Sequence, residues 1–402
     1  MDPSDVRALN ASIAEGYDAV PYEMSPPYQL DPDLVAGFAA LYGSGRPIRD
    51  VLDLGCGSGL QLARAGEQAG GRLVGADLSA AAVALARSRC ERFGARVDIR
   101  HADLLDLTPE ALGQFDLIYN LGVIYVVPPE VRAHLLRLIS QCLRPGGIAV
   151  ISYFAGGVPM VRLGLYALLH AAADRHAPPA RRLEQVRGML ERVSGDAKLA
   201  SENPALSWVA RQTANTKDDI LFHEIFDRPH AEVLSASALH GALVERGVNF
   251  LNTVSWRPAE PPPTSRERAL ACDLLDLPIG GYRYGVFAAG KGGSFDPCSR
   301  AVLWRTGLRR AANGRREEGR AVFEHQARDA VATTSSPVTE ALLDELVAGP
   351  RTWSDALPAA LRRLGFSRSP DDPQLIQGVR TDLVTLWGYQ LVEALAAPNR
   401  KG

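Results

Sequence analysis

Residues 51–59 have the sequence VLDLGCGSG, an apolar strand that runs directly into a turn with glycine at every second position. Glycine has no Cβ, so such a turn lets the backbone approach a ligand closely and aims the amides of the following helix at it. A dinucleotide fingerprint needs G-x-G-x-x-G, but the third glycine here comes one position early, at Gly59. No G-K-[ST] follows either, which disfavours a P-loop. The turn therefore predicts a nucleotide-like ligand of another kind.

Three acidic residues come at or near the ends of successive apolar runs. Asp53 precedes the glycine turn, Asp77 ends RLVGAD and Asp103 ends DIRHAD. The carboxyl ends of parallel strands share one sheet edge, so we expect the three carboxylates to line one crevice. There Asp53 would hold a methionyl ammonium, Asp77 both ribose hydroxyls and Asp103 an adenine amino group. This pattern predicts S-adenosylmethionine as the cofactor and S-adenosylhomocysteine as its product. A plain helix-capping turn with two ordinary polar strand ends is the disfavoured alternative.

The predicted cofactor site also includes the turn itself, neighbours of the acids and two tyrosines near the N-terminus. Leu104 is expected against the adenine ring. The full set added to the three acids is Tyr17, Tyr22, Gly55, Cys56, Gly57, Gly59, Leu78, Leu104 and Asn120.

The spacing of apolar runs predicts the fold class. Between Arg49 and Phe154, short apolar runs alternate with helical stretches, which is typical of βαβ units and a parallel sheet. Five strands are predicted, at residues 50–54, 72–76, 97–101, 115–120 and 148–154. The chain is therefore expected to be a doubly wound α/β protein.

Later segments predict a lid, the completion of the sheet and a further module. From Pro159 the pattern becomes helical and broken, whereas VNFLNTVSW and YRYGVFAAGK indicate two more strands. An arginine-rich segment, residues 305–320, and helical runs follow; the arginines predict a solvated hairpin or, less simply, a guide for an acidic peptide. The predicted domains are a cofactor-binding core at 1–157, a helical lid at 158–235, completion of the sheet at 236–293 and a winged-helix-like regulatory or substrate-docking domain at 294–402.

Bulk composition excludes several classes of protein. The formal net charge is -2, no apolar run is long enough to span a membrane, and the start of the chain is unlike a secretory signal. The five cysteines show no CxxC or CxxH spacing, which argues against zinc and against a disulfide framework. We therefore expect a cytoplasmic protein with no metal and neither nucleic acid nor membrane as a partner. The oligomeric state stays open.

Three further stretches resemble bacterial class I methyltransferases that carry a methyltransferase regulatory domain. These stretches are residues 17–43, 119–153 and 221–234, the last containing LFHEIFDRPHAEVL. The resemblance covers most of residues 1–290 and, more loosely, the C-terminal part. It implies a Rossmann-like sheet, a helical segment after the fifth strand and a winged-helix-like end. Some members of that family methylate lysine side chains of proteins.

The acceptor is predicted less sharply than the cofactor. The catalytic candidates are Tyr125 and Tyr153, after the fourth and fifth strands, and His223 with Glu224, which are candidates for a base and its orienting acid. Each tyrosine is equally a packed ring, and the His–Glu pair equally caps the lid. We expect N-methylation of an amine of a protein or peptide. The alternative is N- or O-methylation of a small natural product or modified peptide, and a cofactor-sensing DNA-binding regulator is disfavoured by the neutral charge.

Overall fold

The computed structural model describes most of the chain. The described residues are 3–20, 30–44, 46–174, 176–228, 230–254, 261–278, 280–290, 293–299, 302–306, 308–310, 316–317, 320–325, 331–334, 336–366, 369–388 and 392–396. The predicted cofactor residue Tyr22 lies outside them.

A seven-stranded sheet forms the centre of the molecule. Its strands are β1 Val51–Leu54, β2 Leu73–Asp77, β3 Val97–His101, β4 Phe115–Asn120, β5 Leu143–Ala155, β6 Val248–Thr253 and β7 Gly281–Ala289. They lie in the order β3-β2-β1-β4-β5-β7-β6. The first five are parallel, and β7 lies antiparallel to both β5 and β6. The predicted doubly wound, Rossmann-like α/β fold is confirmed.

Helices cover both faces of this sheet. They are α1 Pro3–Ala19, α2 Pro32–Ala40, α3 Leu60–Gln68, α4 Ala80–Cys90, α5 Pro109–Leu112, α6 Pro129–Cys142, α12 Ala236–Val244 and α13 Ser265–Asp276. Local sequence sets several of their ends: Ser79 caps α4 by accepting a hydrogen bond from the Ala82 amide, and Thr264 with Glu267 forms a capping box on α13. These caps fix the N-terminal ends of the two helices.

Five helices form a bundle between β5 and α12. They are α7 Gly157–Ala172, α8 Pro179–Gly195, α9 Ala197–Glu202, α10 Pro204–Ala214 and α11 Asp218–Phe226. The bundle has an apolar core of its own, which includes Leu169, Val186, Val209 and Phe222. Burial of these side chains holds α11 in a fixed position, and α11 carries His223 and Glu224.

The C-terminal part packs against the N-terminal helix α2. Its described elements are β8 Val302–Thr306, β9 Leu308–Arg310, β10 Arg316–Glu317, β11 Arg320–His325, β12 Val331–Thr334, α14 Pro337–Val347, α15 Trp353–Leu364, α16 Pro373–Gly388 and β13 Val392–Ala396. A Cβ on Gly37 of α2 would lie 2.2 Å from the carbonyl oxygen of Ala394. The ring of Trp387 lies 5.4 Å from that of Phe38. The winged-helix-like character and the domain boundaries stay predictions.

An ion-pair network ties together the amino ends of three neighbouring strands. The buried carboxylate of Asp116, in β4, accepts hydrogen bonds from the amides of Arg49 and Asp50, just before β1, at 3.0 and 2.9 Å. Arg144, in β5, lies 3.0 Å from Asp116 and 2.6 Å from Asp50. This network lies at the opposite end of the parallel strands from the glycine turn.

Replacing Asp116 by Ala should lower the free energy of unfolding by about 3 kcal/mol, because it leaves two backbone amides without their acceptor and removes one of the two carboxylates that pair with the partly buried Arg144. Chemical denaturation followed by circular dichroism measures this value. Asp98→Ala is the matched control, since Asp98 is half-exposed and its one ion pair among the described residues is with Arg100 on the same strand; its effect should stay below about 1 kcal/mol. Equal effects of the two substitutions would contradict a structural role for the network.

Candidate functional site

A cavity of about 250 Å³ opens at the carboxyl ends of β1, β2 and β4. This is the edge at which the sheet order reverses between β1 and β4, the place where doubly wound sheets bind ligands. Of the predicted cofactor residues, those that line the cavity are Tyr17, Asp53, Gly55, Cys56, Gly57, Asp77, Leu78, Asp103 and Leu104. The structure thus brings together side chains that are distant in the sequence.

The glycine turn forms one wall of the cavity. Gly55, Gly57 and Gly59 have φ angles of 82°, 50° and 73°, a region that other residues rarely adopt. A Cβ on Gly55 would also lie 2.3 Å from Cγ2 of Val123. Gly59 itself does not line the cavity; it caps the N-terminus of α3. Only glycine permits this close approach of the backbone to the cavity.

Asp53 is a buried carboxylate that faces the cavity. Asp53 is 1% exposed, and its Oδ1 atom has no hydrogen-bond partner among the described residues. Burial raises the pKa of Asp53 well above its usual range, and the nearby Asp77 carboxylate raises it further. A buried carboxylate with an unsatisfied oxygen fits a cationic ligand group such as an ammonium.

The other two strand-end acids are held in place by the protein. The amides of Gly57 and Ser79 donate to the two oxygens of Asp77 at 2.8 and 3.0 Å. Burial raises the pKa of Asp77, and these amides act against that shift. Asp103 accepts from the side-chain amide of Asn10 at 2.8 Å and from the Leu105 amide at 2.9 Å. Each carboxylate is therefore oriented before any ligand arrives.

Helix α1 closes one side of the cavity. Asn10, Ile13, Ala14 and Tyr17 lie on one helical face and all line the cavity. The helix is fastened to the core near both ends: Arg7 pairs with Asp106 at 2.8 Å, and the Ser79 hydroxyl donates to Asp18 at 2.5 Å. This hydrogen bond lowers the pKa of Asp18. Burial of the cavity face and these anchors hold α1 over the ligand site.

The catalytic candidates lie outside the cavity lining. Tyr125 and Tyr153 are fully buried, and burial raises the pKa of Tyr153 well above its usual range. Glu224 forms an ion pair with Arg228, whose guanidinium also donates to the Tyr125 hydroxyl at 3.3 Å. Tyr125, Glu224 and Arg228 thus form a buried polar cluster, whereas the Tyr153 hydroxyl has no hydrogen-bond partner among the described residues. A role of these residues in catalysis stays a prediction.

Two further candidates, His223 and Asn120, contact residues next to the cavity. His223 is buried and stacks on Tyr17, with 4.1 Å between ring centroids and an interplanar angle of 7°. Asn120 lies in the core, where its side-chain amide donates to the Leu54 carbonyl at 2.9 Å. Neither lines the cavity, but each supports an element that does.

Several lining residues were missed by the sequence reasoning. Asp227 follows α11, and Tyr282 and Tyr284 come from β7; all three line the cavity. The Tyr282 hydroxyl lies 2.8 Å from Oγ of Ser152, and the two tyrosine rings meet edge to face at 5.1 Å. The remaining wall is apolar and contains Leu121, Val123, Val126, Val127 and Val131. The alternation in YRYG was a signal that the two tyrosines share one face of a strand.

The cavity lining is acidic. Among the described lining residues, the carboxyl groups are those of Asp53, Asp77, Asp103 and Asp227, and no lysine, arginine or histidine is present. Within the described part of the chain, no group of three or more His, Cys, Asp or Glu side chains is arranged to hold a metal ion. No helix in that part is both long and apolar enough to cross a membrane. The electrostatics of the cavity favour cationic groups.

Comparison with known proteins assigns the domain around this cavity. Residues 51–147 match the model of the methyltransferase domain family. Ubiquinone biosynthesis O-methyltransferase of Ruegeria pomeroyi is 33% identical over 162 residues, and the match covers 38% of this chain and 63% of that protein. The corresponding enzyme of Roseobacter denitrificans is 32% identical over 161 residues, with the same coverage of both chains. The chain thus spans somewhat under two thirds of the length of these curated relatives.

The fold extends further than the sequence match. The structure of PKMT2 from Rickettsia typhi superimposes with a TM-score of 0.71 at 18% identity, covering 92% of this chain and 77% of that one. The same protein has been solved in complex with S-adenosylhomocysteine. These likenesses, the family match and the cavity agree. The chain contains a class I S-adenosylmethionine-dependent methyltransferase domain, and S-adenosylmethionine is its cofactor.

Proposed function

We propose that the protein transfers the methyl group of S-adenosylmethionine to an amine of a protein or peptide. The observation that carries this proposal is the charge of the cavity, whose described lining has four carboxylates and no basic side chain. Such a wall attracts a cationic amine and repels an anionic acceptor. The resemblance to a family with lysine-methylating members supports the same acceptor class.

Three of the carboxylates are assigned to the cofactor. Asp53 would hold the methionyl ammonium, since its unsatisfied Oδ1 needs a cationic partner. Asp77 would accept from the ribose hydroxyls, and Asp103 from the adenine amino group. Leu78 and Leu104 line the cavity beside these acids and would pack on the nucleoside. The order of the strand ends along the sheet supports these assignments.

The chemistry asks for positioning and desolvation more than for a covalent nucleophile. The bound cofactor supplies a methyl group on a sulfonium, an activated leaving group for direct in-line displacement. Deprotonating a lysine-like amine at pH 7.5 costs about 4 kcal/mol. The apolar wall that includes Leu121 and Val126 lowers this cost by disfavouring the ammonium form. The covering helix α1 limits the access of water.

The second candidate is methylation of a hydroxyl on a small acceptor, which the names of the curated relatives favour. A phenol must lose its proton before or during transfer, and a basic side chain near the methyl group would assist. Among the described lining residues there is none, and a carboxylate is a weak base for a phenol. For this reason we rank the amine first.

Replacing Asp53 by Asn should reduce the pH dependence of cofactor binding. The raised pKa of Asp53 means that the carboxylate form, which the ammonium needs, appears only as the pH rises through that pKa. Wild-type affinity for S-adenosylmethionine should therefore rise with pH, by up to about tenfold per unit, with proton release on binding. Titration calorimetry in buffers of different ionisation enthalpy measures both quantities.

The side-chain amide introduced by Asp53→Asn does not titrate, so the variant should bind more weakly and with a flatter pH profile. The same linkage acts on stability: unligated wild-type protein loses stability as the pH rises from the unfolded pKa of about 3.9 towards the raised folded value. This loss should be smaller in the variant, in which the raised pKa of Asp77 still contributes. Thermal melting of both proteins is the control for folding. A wild-type profile as flat as that of the variant would remove Asp53 from the ammonium site.

Asp77→Ala should weaken the binding of S-adenosylmethionine at least about tenfold, because two charge-assisted hydrogen bonds to the ribose are lost. Calorimetry measures the change. Asp77→Asn keeps an acceptor for the Gly57 amide and separates the ribose contact from the shape of the turn. Asp98→Ala, on the exposed face of β3, serves as a negative control. Unchanged affinity in both Asp77 variants would contradict the ribose assignment.

The acceptor class can be tested with a cell lysate. Purified protein is incubated with the lysate and S-adenosylmethionine bearing an isotopically labelled methyl group, and the macromolecular and small-molecule fractions are analysed by mass spectrometry. We expect label on lysine or a terminal amine of protein or peptide. The Asp77→Ala variant is the control for background labelling. Label confined to the small-molecule fraction would overturn the proposal in favour of the second candidate.

A further inference from the structure

The fourth carboxylate of the cavity comes from a different part of the fold than the other three. Asp53, Asp77 and Asp103 lie at or just after the carboxyl ends of three strands of the sheet, whereas Asp227 follows α11 of the helical bundle. Its side chain is 12% exposed and lines the cavity near Tyr17. The strand-end acids already match the three donor groups of the cofactor, so a different ligand group is expected at Asp227, beside its contact with His223.

Two elements hold the Asp227 carboxylate. Its Oδ2 lies 2.6 Å from Nδ1 of His223, and the other ring nitrogen of His223 lies 2.5 Å from the Val20 carbonyl oxygen. Carbonyl and carboxylate oxygens only accept, so both ring nitrogens face acceptors, and these two contacts fix the orientation of the ring. On the other side, a Cβ on Gly16 would lie only 2.6 Å from Oδ2. The carboxylate is therefore placed by α11 and α1 together.

From this arrangement we propose that Asp227 binds the acceptor amine, with His223 as the residue that positions it. The inference rests on the proposed function and names the side chain that recognises its substrate. The incoming ammonium loses one proton to solvent water, and a remaining N–H donates to Asp227, leaving the nitrogen lone pair for the methyl carbon. After transfer the product amine is again cationic, and Asp227 is its counterion.

A cofactor analogue tests this without a known acceptor. Sinefungin carries a primary amine on a carbon that replaces the methylated sulfonium, so it presents an ammonium close to the position of the transferred methyl group. S-adenosylhomocysteine lacks that amine but keeps the groups assigned to Asp53, Asp77 and Asp103. The ratio of the two affinities, measured by calorimetry, reports on the carboxylate that faces the acceptor amine.

Wild-type protein should bind sinefungin about tenfold more tightly than S-adenosylhomocysteine, the size expected for one charge-assisted hydrogen bond. In Asp227→Asn this preference should disappear while the affinity for S-adenosylhomocysteine stays unchanged, which also shows that the variant is folded. His223→Gln should lower the preference partially. Asp219→Asn makes the same charge change on the first turn of α11, away from the cavity lining, and should preserve the preference.

Two results would overturn the inference. One is a sinefungin preference that survives in Asp227→Asn. The other is an equal loss of both ligands, which would assign Asp227 to the cofactor itself. Because the assay measures binding alone, its outcome is separate from that of the lysate experiment: a protein that labels only small molecules can still show the preference, and a protein-amine methyltransferase can lack it.

Discussion

The site depends on one unfavourable burial, that of the Asp53 carboxylate at the end of the central strand. A charge without enough partners is costly inside a protein, and Oδ1 of Asp53 finds no hydrogen bond among the described residues. The surrounding features are those that a cation at this position requires. The glycine turn brings the backbone close, the reversal of strand order opens the crevice, and α1 shields it from water. Cofactor binding would convert a local cost into a favourable contact.

The same cavity joins parts of the chain that are far apart in the sequence. Tyr17 on α1 stacks on His223 of α11, and His223 contacts Asp227 and the Val20 carbonyl. The helical bundle therefore contacts α1 directly over the ligand site. This contact links closure over the cofactor with the placement of the carboxylate proposed for the acceptor. Loss of either helix would open both halves of the site.

Sequence reasoning was strongest where local pattern and function coincide. The strands 97–101 and 115–120 have the predicted bounds, and nine predicted cofactor residues line the cavity, because strand ends in a parallel sheet converge by geometry. Residues expected near the methyl acceptor were predicted less well. Tyr282 lies 130 residues from Ser152, its hydrogen-bond partner, and no local signal reports such a pairing. Strand β5 begins at Leu143, five residues before the predicted start at residue 148. Leu143 pairs with Phe115 before an irregularity in the register, whereas Pro145 and the two glycines after it are typical of a loop.

The assignment of the cavity carboxylates is tested most directly by an experimental structure of the protein with S-adenosylhomocysteine bound. In it we expect the amino group of the homocysteine moiety against Asp53, the ribose hydroxyls on Asp77 and the adenine amino group on Asp103, with Asp227 facing the open side of the sulfur. A carboxylate of the ligand beside Asp53, or the adenine placed away from Asp103, would contradict the assignment of charge on which the proposed function rests.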